Sequence, residues 1–250
     1  MCYARPMNVV LLGATRGMGQ ALARRMAQRH DRLFLLGRTE SALEDSAADL
    51  AVRGAEVVGT HRCDLEDTAT FEPALAAAWS ALGTVDAVVV TAGLFATQEE
   101  LEADPALAEK LTRVNFTNTV VFCEQARKRL LDAGGGTLCV FSSVAGERGR
   151  KPVVIYGASK AGLSRYLEGL DHKFRREGLR VVTVKPGFVK TGMTEGLDPP
   201  PFAGEPDEVA VAVLDAIDRG RPVVYAPAPW RFVMAVVRHL PRAVMRRVGF

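Results

Sequence analysis

Tyr156 and Lys160 stand four residues apart in Tyr-Gly-Ala-Ser-Lys, so on a helix their side chains share one face. A phenol ionises near pH 10, too high for easy proton transfer at neutral pH. A neighbouring ammonium stabilises phenolate and draws that value down, which would make the pair an acid–base device. A second constellation lies near the start, where Gly13-Ala-Thr-Arg-Gly17-Met-Gly19 follows the apolar run Val9–Leu12. Glycines at such a turn remove Cβ atoms and let backbone approach a diphosphate at a helix N-terminus, where free N–H groups and the helix dipole favour negative charge. The spacing is Gly-x3-Gly-x-Gly, distinct from the Gly-x-Gly-x-x-Gly dinucleotide fingerprint. Arg38 follows the second apolar run, where an acid would hold the 2′-hydroxyl of NAD, and Arg16 lies inside the glycine turn. Two cations on one edge of a ribose favour a 2′-phosphate, so NADP(H) is expected over NAD(H).

These residues need a frame. Short β-branched runs at Asn8–Gly13, Arg32–Gly37, Glu56–Thr60, Ala87–Thr91, Gly136–Phe141, Arg180–Lys185 and Pro222–Tyr225 read as strands. Helical patterns over Met18–Arg29, Glu40–Arg53, Thr68–Leu82, Ala106–Leu131, Tyr156–Glu177 and Pro206–Arg219 alternate with them. Runs such as Ala87-Val-Val-Val are apolar without alternation, as in parallel strands covered on both faces. The expected fold is therefore α/β, a doubly wound parallel sheet of seven strands, Rossmann-like, in one domain. No long linker, repeat or low-complexity tract divides the 250 residues.

With 48% hydrophobic and 24% charged residues, the chain is outside the disordered, collagen-like and disulfide-scaffold classes. Cys2, Cys63, Cys123 and Cys139 form no Cys-x-x-Cys pair, so no metal is expected and a reduced, cytoplasmic setting is. No apolar run reaches membrane-spanning length, and Gly13 and Arg16 interrupt the first one too soon for a signal peptide. The net charge of +3 is unevenly spread. After Asp218 come arginines 219, 221, 231, 238, 242, 246 and 247 and no acid, leaving the preceding chain net negative. These arginines sit at one end with no base-reading motif, so nucleic acid is not an expected partner.

The motifs together resemble the short-chain dehydrogenase/reductase family over nearly the whole length. The resemblance is carried by Gly13-x3-Gly17-x-Gly19, Cys63-Asp64-Leu65, Thr91-Ala92-Gly93, Asn115, Ser142-Ser143-Val-Ala-Gly146, Tyr156-x3-Lys160 and Lys185-Pro-Gly-Phe-Val-Lys-Thr191. It implies that Tyr156 gives a proton to a carbonyl oxygen while nicotinamide delivers hydride. Lys160 would lower the tyrosine pKa and hold the nicotinamide ribose, Ser143 would bind the substrate oxygen, and Asn115 would organise a water linking Lys160 to a proton relay. Ser143 is preferred to Ser142 because the family spacing to the tyrosine is thirteen residues. For the cofactor it implies Gly13, Thr15, Arg16, Gly17, Met18, Gly19, Arg38, Asp64 and Leu65 on the adenosine and diphosphate side. Ala92, Gly93, Tyr156, Lys160, Pro186, Gly187, Val189 and Thr191 would serve the nicotinamide side. Thr91 stands where the family usually has asparagine, and Leu12 where it usually has threonine; altered bracing of the turn with retained activity is expected. A homodimer or homotetramer through residues 106–131 and 156–177 is expected too, with Gly157, Ala158, Ala161 and Gly162 allowing close helix approach.

Two stretches, 142–151 and 225–242, are similar to the narrower group that reduces decaprenylphosphoryl-2-keto-pentose, a ketosugar on a polyprenyl phosphate. Arg148, Arg150 and Lys151, between Ser143 and Tyr156, are candidate contacts for an anionic substrate, and solvated loop charges are the equal alternative. Beyond a catalytic domain over 1–228, residues 229–250 form a basic segment in which Trp230, Val233, Met234 and Val237 mark one helix face. That face would pack over the cleft or a subunit, or rest on an anionic membrane surface. The expected activity is reduction of a ketone to a secondary alcohol. Another carbonyl, such as a 3-oxoacyl thioester or small ketone, or a non-catalytic NADP-sensing role on the same fold, remains open.

Overall fold

The computed structural model describes residues 6–248, so Cys2 and both chain ends lie outside the described residues. Seven strands form one parallel sheet in the order β3-β2-β1-β4-β5-β6-β7. They are β1 (Asn8–Leu12), β2 (Arg32–Gly37), β3 (Glu56–Arg62), β4 (Ala87–Val90), β5 (Gly136–Phe141), β6 (Leu179–Pro186) and β7 (Val223–Ala226). The order reverses between β1 and β4, whose registers run Val9↔Ala87 to Leu12↔Val90. At such a reversal the crossovers leave in opposite directions, and a crevice opens beyond the carboxyl ends of the strands.

Both faces of the sheet are covered, which accounts for the unbroken apolar strands. Val10, Leu12, Val88 and Val90 join Phe71, Phe122, Leu163 and Leu167 in one core layer. Those partners come from α3 (Phe71–Leu82), α6 (Thr119–Asp132) and α7 (Val154–Phe174). Val9, Leu11 and Val89 point the other way, against Leu22, Met26 and Val213 of α1 (Gly17–Gln28) and α8 (Pro206–Arg219). Helix α2 (Glu40–Val52) flanks β2 and β3 on that second side through Leu43 and Leu50. Alternate residues of each strand thus serve opposite layers.

The segment expected to be one helix over 106–131 is broken. It begins as α5 (Pro105–Thr112), widens into a π-helical turn at Arg113–Asn118 and resumes as α6. The Thr119 hydroxyl donates to the Val114 carbonyl at 2.7 Å, pinning the wide turn from inside. A short α4 (Gln98–Ala103), absent from the sequence reading, precedes it. Thr97 and Glu100 form a reciprocal capping box there, and Asp104 caps α5 ahead of Pro105. These signals are local and legible: an N-cap with an acid three residues on, then an acid followed by proline.

The basic C-terminal segment folds back. Helix α9 (Trp230–Val237) sets Met234 and Val237 against Val144, and α10 (Arg242–Met245) adds Met245 at the edge of that cluster. Of the alternatives for this face, Met234 and Val237 are covered within the chain, with Trp230 and Val233 partly so. Gly157 and Gly162 also face inward, toward the Ala145 carbonyl and the Phe116 ring, so their small size serves packing inside this chain. Among the described residues no helix is long and apolar enough to cross a membrane, and no cluster suited to a metal ion occurs.

Candidate active site

The glycine turn connects β1 to α1 at the topological reversal. Gly13 has φ +101° and Gly17 φ +54°, backbone conformations that glycine adopts without the steric cost of a Cβ. A Cβ on Gly19 would overlap the Gly13 carbonyl, so the turn closes on itself only with glycine there. The Thr91 hydroxyl lies 3.1 Å from the Leu12 carbonyl and 2.9 Å from that of Gly13, where it donates between them and ties the turn to β4. Threonine in place of the family's asparagine thus still braces the turn. Helix α1 has no side-chain cap at Arg16 and no acid in its first turn, leaving its leading N–H groups for an anion. A glycine cradle, an uncapped helix start and positive dipole fit a dinucleotide diphosphate.

The residues expected around the adenosine are partly engaged elsewhere. Arg16 is exposed, whereas the Arg38 guanidinium lies 3.5 Å from Glu66. Asp64 accepts from the Glu66 N–H at 3.0 Å, folding its carboxylate into a local turn. Leu65 sends its side chain into the core and its carbonyl to Asn118, so only its remaining backbone can face a cofactor. Met18 is partly packed against the core, and Thr15 is half-buried in the turn.

Ser143, Tyr156, Lys160, Asn115 and Gly93 meet at the carboxyl ends of β4 and β5. Ser143 follows β5 close by the Tyr156 phenol, and its hydroxyl accepts from the Ala145 N–H at 3.1 Å. Ser142 instead spends its hydroxyl on the Lys160 carbonyl and on Ser164, at 3.0 and 2.7 Å, tying β5 to α7. The neighbouring serines thus differ: Ser142 is spent on α7, while Ser143 accepts from the Ala145 N–H. Phe95 meets the Tyr156 ring edge-on at 5.2 Å. Lys160 is buried, donates to the Phe141 carbonyl at 3.0 Å and holds its Nζ 5.9 Å from the Tyr156 ring centre.

The electrostatics differ from the sequence expectation. Burial raises the Tyr156 phenol to about 12, with the Ser143 hydrogen bond opposing it, and burial lowers the Lys160 ammonium to about 8. Desolvation of each group outweighs the attraction expected between ammonium and phenolate. Tyr156 is thus held in the protonated form that can donate.

Asn115 sits in the π-turn. Its carboxamide both accepts from the Leu94 N–H and donates to the Leu94 carbonyl, each at 2.7 Å. That two-point clamp fixes the strand-exit segment 91–95 beside the cluster. A Cβ on Gly93 would come within 3.2 Å of the Asn115 oxygen and 3.5 Å of the Lys160 Nζ. π-Turns in helices often mark functional positions, and this one sets Asn115 at the right depth. Ala92, beside it, is partly packed in the core.

On the other side of the crevice, Thr191 approaches the glycine turn, its methyl carbon 3.4 Å from where a Cβ on Gly17 would lie. Val189 is buried in the core and pairs by a backbone bridge with Gly204. Pro186 ends β6, and Gly187 donates its N–H to the Ala226 carbonyl at 3.0 Å. The Trp230 indole lies flush on Gly187, where any Cβ would overlap it, and its N–H donates to the Phe202 carbonyl at 3.1 Å. Trp230 thus contacts both ends of the 187–204 loop, a role the sequence pattern did not distinguish from ordinary packing.

The post-β5 loop is anchored from the same direction. Glu147 pairs with Lys185 in a nearly buried ion pair and lies 3.9 Å from Arg238. The Arg148 guanidinium donates to the Leu240 carbonyl. Of the three candidate substrate cations, Arg148 is therefore bound to the C-terminal segment. Lys151 is exposed, and Arg150 carries a buried, unpartnered Nε. Glu147, Lys185 and Trp230 were not legible as site-supporting residues because their partners lie 28 to 91 positions away.

A family model described as short chain dehydrogenase matches residues 7–200. An uncharacterized oxidoreductase of Mycobacterium tuberculosis is 35% identical over 240 residues, spanning 96% of both chains. Carbonyl reductase family member 4 of Xenopus tropicalis is 29% identical over 82% of this chain and 88% of its own. A single-site variant of the actinorhodin polyketide ketoreductase, solved with NADPH, superposes with a TM-score of 0.80 at 25% identity, covering 88% of this chain and 95% of that one. The strand order, the glycine turn and the serine–tyrosine–lysine cluster agree with these matches: this chain belongs to the short-chain dehydrogenase family of oxidoreductases.

Proposed function

We propose that this protein reduces a ketone to a secondary alcohol using NADPH. The observation that carries this reading is the gathering of Ser143, Tyr156 and buried Lys160, with the Lys160 Nζ 5.9 Å from the Tyr156 ring centre, at the end of the crevice opened by the glycine turn. Bound NADPH supplies hydride to the carbonyl carbon. Ser143 holds the carbonyl oxygen and steadies the charge developing on it. Tyr156, kept protonated by its surroundings, hands its phenolic proton to that oxygen. Lys160 supports the phenolate left behind, and Asn115 acts as a positioning residue by clamping Leu94.

Gly13, Gly17 and Gly19 with the start of α1 hold the diphosphate, and the segment Pro186–Thr191 lies toward the nicotinamide. Preference for NADP(H) rests on exposed Arg16 in the glycine turn and on Arg38 after β2, whose partner Glu66, 3.5 Å away, would have to yield to a 2′-phosphate. Similarity to a carbonyl reductase and to a ketoreductase solved with NADPH supports the same reaction class. The finer reading, a ketosugar linked to polyprenyl phosphate, rests on residues 142–151 and 225–242.

The test is NADPH oxidation at 340 nm against a panel of ketones, comparing NADH. Wild type turns over at least one ketone with a preference for NADPH, and Tyr156→Phe loses at least a thousandfold in kcat while binding NADPH normally. NADPH binding without turnover of any ketone refutes the reductase reading and leaves a sensor.

A further inference from the structure

The three cations between Ser143 and Tyr156 are not equivalent. Arg148 is held by the Leu240 carbonyl, and Lys151 is solvated. Arg150 differs from both: it is half-buried, its Nε is buried without a hydrogen-bond partner, and it makes no ion pair among the described residues. Buried guanidinium groups are ordinarily paired, because stripping water from a cation without returning an anion costs several kcal/mol. Its pKa is lowered by burial, with no carboxylate opposing.

The position limits what can offset it. Arg150 precedes Lys151–Val153, a single turn running directly into α7 and Tyr156. The loop is fixed at Ser143 by the Ala145 N–H, at Glu147 and Arg148 by Lys185 and the C-terminal segment, and at Ile155 by Gln98. Arg150 thus lies in a loop clamped on both sides, between Ser143 and Tyr156. Its planar fork of donors matches a carboxylate or phosphate in two-point contact.

We infer that Arg150 is an anion-anchoring residue of the substrate site, and that the preferred substrates are ketones carrying a carboxylate or phosphate a short chain away from the carbonyl. This rests on the reductase reading for the identity of the reacting end. The pairing itself requires no turnover, so binding tests it separately.

The experiment uses the NADPH-loaded enzyme and two matched pairs: 4-oxopentanoate with its methyl ester, and 3-oxobutyl phosphate with 4-hydroxy-2-butanone. Binding is read from nicotinamide fluorescence, and turnover is followed alongside. Wild type is expected to bind at least one charged member tenfold or more tightly than its neutral partner; which pair shows the larger ratio distinguishes carboxylate from phosphate. In Arg150→Met the charged member weakens on the order of 30-fold, the size of a lost charge-assisted pair. The neutral member and NADPH stay within twofold, and Arg150→Lys recovers part of the loss. Arg148→Met leaves the ratio unchanged. The inference is overturned if wild type binds charged and neutral members equally, binds neither charged member, or if Arg150→Met weakens both members alike. It is also overturned if Arg148→Met erases the ratio. Absence of turnover with the charged preference intact would refute the reductase reading alone.

Discussion

The contact between Trp230 and Gly187 yields a prediction in which two damaging substitutions are less harmful together than apart. Gly187 lacks positive φ, so alanine suits its backbone and the only obstacle is the indole lying on it. Gly187→Ala must push Trp230 off the loop, an overpacking cost of about 2 kcal/mol. Trp230→Ala removes a half-buried ring and its hydrogen bond to Phe202, below the 3–5 kcal/mol range of fully buried aromatics, and costs about 2 kcal/mol. In the double variant the new methyl enters space the indole has left. The pair then costs about 2 kcal/mol, not about 4, a coupling of about 2 kcal/mol between residues 43 positions apart in sequence. Urea denaturation of the four proteins measures it, and each single variant lowers Tm by about 6 °C in a chain of this size. Because Gly187 lies in the segment proposed to face the nicotinamide, each single variant is also expected to raise the KM for NADPH several-fold. Strict additivity of the two costs would show that Trp230 does not press on Gly187, and the account of α9 as a brace would fail.

Three further outcomes follow from the same geometry. Thr91→Val, equal in shape, removes the hydroxyl shared by the Leu12 and Gly13 carbonyls; denaturation should show a loss of about 1 kcal/mol and fluorescence titration a weaker NADPH affinity. Glu147→Gln leaves Lys185 nearly buried without its carboxylate and should cost about 3 kcal/mol, while Glu147→Gln with Lys185→Met recovers most of it in the same assay. Lys160 has its ammonium lowered from 10.5 to about 8, so between those values the unfolded chain binds the extra proton and the folded state gains stability as pH rises. Below pH 8 the burial penalty, about 3 kcal/mol, is fully present; Lys160→Met should therefore be inactive yet more stable at pH 7, with its advantage over wild type shrinking from pH 8 to pH 10. Comparing the two proteins cancels the opposing trend above pH 9 from buried Cys63, Cys123 and Cys139, whose raised values keep them protonated when folded.

What the sequence made legible was what local chemistry dictates. All seven runs appear as strands, the central ones apolar because they bury both faces, and the glycine turn after β1 takes up positive φ. The division between Ser142 and Ser143 was legible only through spacing to Tyr156. Other features needed the third dimension. A continuous helical pattern over 106–131 hides the π-turn, since widening by one residue changes neither composition nor amphipathicity much. Arg148 and Arg150 carry identical side chains two positions apart, and only the Leu240 carbonyl separates their fates. Tyr156 and Lys160 were expected to lower the phenol pKa by proximity; burial, which no local pattern measures, reverses the direction.

The charge asymmetry takes its meaning from the same C-terminal segment. Seven arginines after Asp218 suggest a surface-binding tail when counted along the chain. In three dimensions α9 inserts Met234 and Val237 beneath Val144, Trp230 covers Gly187, and Arg238 approaches Glu147. One helix thus touches the loop leaving Ser143 and the loop leaving Pro186, the two walls of the proposed substrate site. A change in α9 that moves either loop is therefore expected to be felt at the other, so that under the proposed function substrate preference depends on residues 230–240 as well as on those flanking Tyr156.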